Sequence, residues 1–313
     1  MAHKTKVYFA TDLHASEICF RKFCEAADFY NCDILIMGGD VTGKMLVPIV
    51  ANGSEARYEL GGEERRVPLA RVAEEKKRIA NMGYYAVETD EDGLRELDDS
   101  ETYERRLLDE TLARTRAWAE YADARLRDGG TKIYFAPGND DDFSVDEAFR
   151  ESEVFVNAEE EVIDVGGYEL ATTGWSNPTP WKTPRECSEE DLERRIRSLV
   201  ERVREPERAL FNFHVPPHGT ALDLCPELDE DFRVVTVMGN PVQAHAGSTA
   251  VRTVIEEYQP LASLHGHIHE SRNAVKLGRT IAVNPGSEYG EGVLNGAVIS
   301  LKHGKASYTF TAG

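Results

Sequence analysis

Seven side chains with oxygen or nitrogen donors recur just after apolar runs: Asp12 and His14 in "DLH", Asp40 in "GGD", Asn139 in "GND", His214 in "FHVPPH", and His267 and His269 in "GHIH". Carboxylate, amide and imidazole donors together suit manganese, iron, zinc or cobalt. In extended chain, residues i and i+2 point to the same side, so "DLH" and "GHIH" can each aim two donors into one cleft. A lone DxH is weak, because aspartate is abundant and a strand-end histidine is more often a solvated turn residue. GHxH is rarer: with 25 Gly and 9 His in 313 residues, about 0.02 chance occurrences are expected. Its position after DxH, GD, GN and H, in that order, favours one metal site over separate turn residues.

The elements that must position these donors are six runs of β-branched and aromatic residues, "KVYFA", "DILIM", "KIYFA", "ALFNF", "LASL" and "TIAV", each ending in one of the donor loops or in "NPGS". Helical patterns lie between them at 16–30, 188–204 and 248–258, each opened by a serine in the N-cap position. Strand alternating with helix predicts an α/β sheet, whose ligand sites gather beyond the carboxyl ends of the strands. The stretch 52–130 interrupts that alternation with a hairpin pattern, "RYELGGEERRVP", followed by a long charged helix, "ETYERRLLDETLARTRAWAEYADARLRD". It reads as an inserted, partly helical subdomain of a single domain spanning 1–313, either capping the pocket or forming a homo-oligomer contact. The tail 293–310 reads as a closing hairpin around "HGK".

Composition narrows the partners. The formal net charge of -20 repels phosphate backbones and anionic membrane surfaces, so nucleic acid and membrane are disfavoured and an anionic substrate needs a locally positive site. Five cysteines without CxxC spacing predict a reducing, cytoplasmic setting, with Cys19, Cys24 and Cys32 as small core residues. The short apolar stretch at the N-terminus is too short for a signal sequence, and there is no run of about 18 apolar residues. The acidic run at 88–93 lacks the ligand spacing of a calcium loop and reads as a solvated acidic loop.

The ordered set "DLH", "GD", "GNDD", "H" and "GHIH" resembles the signature of the calcineurin-like metallophosphoesterases, and the resemblance covers the chain from Asp12 to His269. It implies a metallophosphatase-like layered α/β/β/α sandwich and two divalent or transition metal ions. Asp12, His14 and His269 would hold one ion, Asn139, His214 and His267 the other, and Asp40 would bridge them. A carboxylate suits the bridge because its two oxygens can span ions about 3.5 to 4 Å apart. Two such ions, less Asp12, Asp40 and a bridging hydroxide, leave roughly one positive charge, which attracts a phosphate ester and readies the hydroxide for in-line attack.

One position departs from the family pattern. Many members place a histidine after the asparagine to protonate the leaving oxygen, and this chain has Asp140, followed by Asp141 and Asp142. An exposed aspartate is ionised at neutral pH and is a poor general acid unless desolvated. That favours a small phosphodiester or nucleotide-like substrate over a phosphomonoester or phosphoprotein, and keeps open a catalytically weak, metal-binding interaction protein. Asp140 and His218 are the candidate acids, with His245 and His265 as further imidazoles near the site in sequence. Ser248 and Arg252, at the start of a helix, are candidate phosphate contacts. The "NPGS" loop is a candidate pocket wall. His3 and His303 are assigned no function.

Overall fold

The computed structural model describes residues 5–313, so His3 lies outside the described residues. Six helices are present among them: α1 (Glu17–Tyr30), α2 (Val72–Asn81), α3 (Glu91–Glu96), α4 (Ser100–Leu126), α5 (Glu189–Val200) and α6 (Thr249–Tyr258). The six apolar runs all form strands and divide equally between two six-stranded sheets. The first sheet runs in the order Lys305–Ala312, Asn295–Lys302, Thr5–Ala10, Ile34–Met37, Lys132–Phe135, Phe155–Asn157. The second runs Asn273–Leu277, Thr280–Asn284, Ala262–Leu264, Ala209–Phe213, Glu169–Thr173, Val162–Asp164. The strands that precede the donor loops pair in parallel within each sheet, so their carboxyl ends emerge together.

The layering follows from the two-residue period of a strand. Val7, Phe9, Ile34 and Ile36 face the second sheet and pack with Leu170, Leu210, Leu264 and Val283. Their neighbours Tyr8, Ala10, Leu35 and Met37 turn the other way, onto Phe20 and Phe23 of α1 and Trp118 and Ala122 of α4. On the far side, Phe211 and Phe213 pack against Leu192 and Ile196 of α5 and Val251 and Val254 of α6. The result is helix, sheet, sheet, helix.

The insertion has a four-stranded sheet of its own, ordered Glu63–Pro68, Glu55–Leu60, Leu46–Asn52, Tyr85–Thr89, with a separate small core of Val47, Ile49, Tyr58, Val72 and Ile79. That sheet starts at Leu46, ahead of the Asn52 expected from sequence. Apolar strand residues after a glycine loop do not reveal which sheet they will join. The outer strand carries exposed Glu63, Glu64, Arg65 and Arg66, charges that discourage pairing with another chain. The long helix α4 leaves the insertion and returns to the main core. Its buried Trp118 stacks on Phe20 with ring centroids 4.0 Å apart and donates its indole N–H to Glu17 at 2.7 Å.

The three serines expected to open helices differ in what they do. Ser188 and Ser248 accept from the backbone N–H groups of Asp191 and Val251 and so cap α5 and α6. Ser16 makes no such cap; its hydroxyl donates to the Asn81 and Tyr289 carbonyls, pinning the start of α1 to the insertion and to the loop before the C-terminal hairpin. The acidic run 88–93 is not the loop expected: Glu88 and Thr89 end a strand and Glu91 opens α3, which Asp90 caps through the Gly93 N–H.

Trp118→Ala should destabilise the protein by about 3–5 kcal/mol, the usual cost of emptying a buried aromatic site. The shift in urea midpoint measures it, and a loss well under 1 kcal/mol would mean that α4 does not belong to the main core.

Candidate metal centre

All seven donors predicted from the sequence converge at the carboxyl ends of the two sheets. Asp12, His14 and His269 place one ligand atom each within 4.8 Å of one another, and so do Asp40, His214 and His267. Asp40 faces both groups: its Oδ2 is 3.7 Å from His14 Nε2 and its Oδ1 is 3.4 Å from His214 Nε2. Asp12 Oδ1 lies 3.3 Å from His269 Nε2 and 3.9 Å from His214 Nε2. Asn139 Oδ1 is 2.8 Å from His267 Nδ1.

The imidazoles are oriented from behind. Nδ1 of His14 faces the Thr42 carbonyl at 3.3 Å, and Nδ1 of His214 faces the Gly38 carbonyl at 3.2 Å. A carbonyl can only accept, so each Nδ1 carries a hydrogen and Nε2 is the ring atom turned into the cluster. The Asn139 amide donates to Thr183 Oγ1 at 2.9 Å, which directs its oxygen inward.

Three features fit this donor set to cations. His14 Nε2 and His269 Nε2 stand 3.2 Å apart, two ring nitrogens converging on one point. His214 Nε2 is buried without a hydrogen-bond partner. The backbone is left-handed at Asp12 (φ 54°), His14 (42°), Asp40 (48°) and His267 (67°), a conformation L-residues adopt at a cost and that clusters at functional sites. Two glycines permit the crowding: a Cβ at Gly138 would overlap the Asp40 carboxylate, and one at Gly266 would overlap Thr11 and Asp12.

The electrostatics agree. Burial pushes both carboxyls up, but neighbouring imidazoles win: His269 and His214 bring Asp12 down to about 2, and His214 and His14 hold Asp40 well below the usual range. Burial lowers His14 to about 3 and His267 to about 4. His214 goes the other way, to about 10, because the Asp40 and Asp12 charges overcome its burial. Without a cation, a proton on His214 partly balances two buried acids.

Further residues hold the donor loops in register, two of them, Asn284 and Ser287, from the "NPGS" loop expected as a pocket wall. Asp141, fully buried, accepts from the N–H groups of Val41 (2.9 Å), Thr42 (2.9 Å) and Gly138 (2.8 Å) and from the Thr42 hydroxyl (2.5 Å), tying the Asp40 loop to the Asn139 loop. The acid in "GNDD" was the available signal. Asn284 donates to the carbonyls of Leu222, Gly266 and Ile268 and so braces the "GHIH" turn, while Ser287 donates to the Asp12 carbonyl. Lys44 pairs with Asp140.

Other expectations need correction. Ser248 is fully buried and its hydroxyl donates to Glu189, and Arg252 pairs with Glu256 and donates to the His218 carbonyl, so neither is presented to a phosphate. His265 is fully buried, donates Nδ1–H to the Phe213 and Val215 carbonyls and is held down to about 4 by burial, so it serves the core and not proton transfer to a substrate. Asp140 is not the exposed acid expected. Burial and the Asp40 charge push it up to about 7 against the pull of Lys44, its N–H donates to Asp40 at 3.0 Å, and its carboxylate lies in ligand range of His14 and Asp40. His218 is part-exposed, its Nδ1 3.7 Å from Asp223. His303 occupies the turn of the C-terminal hairpin and is exposed.

Asp141→Asn places an amide against four donors and should weaken manganese binding 10–100-fold, measured by titration calorimetry; unchanged affinity would show that the two loops hold their register without it. In the metal-free protein, folded His265 takes a proton only near pH 4 while the unfolded chain takes it near 6.5. Stability should therefore fall as pH drops from 6.5 to 4, by on the order of 3 kcal/mol from this residue. Urea titrations at the two pH values should show that difference shrinking in His265→Gln.

No protein-family model matches the sequence. The uncharacterized protein MJ1162 of Methanocaldococcus jannaschii is 30% identical over 156 residues, which span 49% of this chain and 63% of that protein. One crystal structure superposes with a TM-score of 0.58 at 18% identity, covering 98% of this chain and 99% of the other. The crystal structure of TT1561 of Thermus thermophilus does so with a TM-score of 0.53 at 15% identity, covering 98% and 99%. Layer order, donor order and these superpositions agree: the chain has the fold of the calcineurin-like metallophosphoesterases.

Proposed function

We propose that this chain is a metal-dependent phosphoesterase acting on a small phosphodiester or nucleotide-like molecule. The observation that carries the reading is the convergence of two donor groups on Asp40, with buried carboxylates and unpartnered imidazole nitrogen facing one volume. Asp12, His14 and His269 would hold one divalent cation and Asn139, His214 and His267 a second, with Asp40 shared between them. Bound there, such cations supply charge to stabilise phosphoryl oxygens and to activate water. Manganese suits the donor set, as do iron, zinc and cobalt.

The chain's own groups do the rest. Asp141 and Asn284 keep the donor loops in register. Lys44, part-exposed beside Asp140, adds positive charge at the rim of an otherwise acidic molecule, where an anionic ester must approach. An aspartate, Asp140, stands where many members of the family place an imidazole that serves a monoester, which favours diesters. The acidic surface argues against nucleic acid as substrate, and among the described residues no helix is long and apolar enough to cross a membrane.

Asp40→Ala and His267→Ala should each lose bound manganese, read by elemental analysis, and lose turnover of a chromogenic phosphodiester by at least a hundredfold; full turnover in either variant would overturn the proposed centre. The wild type should cleave the diester faster than the matching monoester, and the reverse preference would reassign it as a phosphomonoesterase.

A further inference from the structure

Asp223 is a fully buried acid that takes no part in the centre described above. Its oxygens accept from the N–H groups of Gly219 (3.0 Å), Thr220 (2.9 Å) and Gly247 (3.1 Å), and from His245 Nδ1 at 2.8 Å. With Nδ1–H held in this way, Nε2 of His245 is the nitrogen left free to exchange a proton. The His245 side chain is 40% exposed, so its ring lies at the surface. His218, the other imidazole nearby, has its Nδ1 3.7 Å from Asp223, beyond hydrogen-bond reach, so its ring is not fixed in the same way.

The position of His245 is set by the loops that carry the metal donors. It pairs across a two-stranded ribbon with Leu224, whose carbonyl accepts from Ser271, two residues beyond His269. The amide of Asn284 joins the Leu222 carbonyl, next to Asp223, to the Gly266 and Ile268 carbonyls of the "GHIH" turn. On the other side, the carbonyl of Ala246 accepts from Asn177, in the loop whose Thr183 holds Asn139. The ribbon that carries His245 is thus tied to the loop of His267 and His269 and to the loop that fixes Asn139.

We propose that His245, oriented by Asp223, is the general acid of this site: a catalytic residue that protonates the departing ester oxygen. The inference rests on the phosphoesterase reading. In the step, water adds to phosphorus and gives up a proton to solvent, the bond from phosphorus to the ester oxygen breaks, and the proton on His245 Nε2 moves to that oxygen, releasing an alcohol and a phosphate monoester. Solvent then reprotonates His245. Asp223 is a positioning residue, acting through His245.

An acid of this kind matters only when the leaving group is poor. With manganese-loaded protein, methyl phenyl phosphate and methyl p-nitrophenyl phosphate share one diester core and differ in leaving group. His245→Gln should slow phenyl ester cleavage 100-fold or more and nitrophenyl ester cleavage less than threefold, with manganese content at the wild-type value. Asp223→Asn should show the same unequal pattern. Equal losses on both esters, or no loss on either, would overturn the assignment of His245 and leave the phosphoesterase reading standing. Failure of the wild type to cleave either ester would overturn that reading, and the acid with it.

Discussion

Two buried carboxylates, Asp12 and Asp40, face the same small volume, and the rest of the structure is arranged to make that tolerable. An isolated ion in a protein interior is expensive, and two of like charge are more so. Imidazoles are brought to them by His14 on Asp12's own loop and from two other loops, those of His214 and of His267 and His269, with ring nitrogens facing inward. His214 shows the balance most clearly, because the carboxylates hold a proton on it at a pH where a solvated histidine is neutral. A pair of cations would meet the same need and release that proton.

Such a site cannot be made by one segment. The donors come from strand ends in both sheets, and each lies within a few residues of a regular backbone that anchors it. The bends that turn the chain inward are unfavourable in themselves, with left-handed backbone at four of the seven donors. Packing overrides that cost. The strands behind the loops are buried on both faces, and Asp141 and Asn284 link loop to loop with side-chain hydrogen bonds that water cannot easily replace.

The insertion stands in a different relation to the centre. Its sheet has a small core of its own, yet its last helix supplies Trp118 to the core behind the first sheet. Ser16, two residues after His14, donates to the Asn81 carbonyl of α2. Arg114 of α4 donates to the Ala15 carbonyl, and Ala15 packs with Leu46, Tyr85 and Val87, so the insertion is anchored next to His14 by several contacts.

The strands and the donor list were legible from sequence because both are local. A run such as "ALFNF" declares a buried strand by composition, and "GHIH" declares two donors on one side by the period of extended chain. Roles that depend on what lies opposite in space were not legible. Asp140 read as an exposed acid and is packed against Asp40 and Lys44; Ser248 and Arg252 read as phosphate contacts and are tied to Glu189 and Glu256. Asp223 gave no signal, since nothing in its neighbourhood along the chain announces that His245 will fold back onto it.

The sequence by itself determined the alternation of strand and helix, the order of the seven donors and the acidic surface, because composition, period and spacing are properties of neighbours along the chain. Only the tertiary structure decided which donors share a cation-sized space, which acids are balanced and by what, and which histidine is aimed, because burial and Coulomb energy depend on distances that sequence separation does not report.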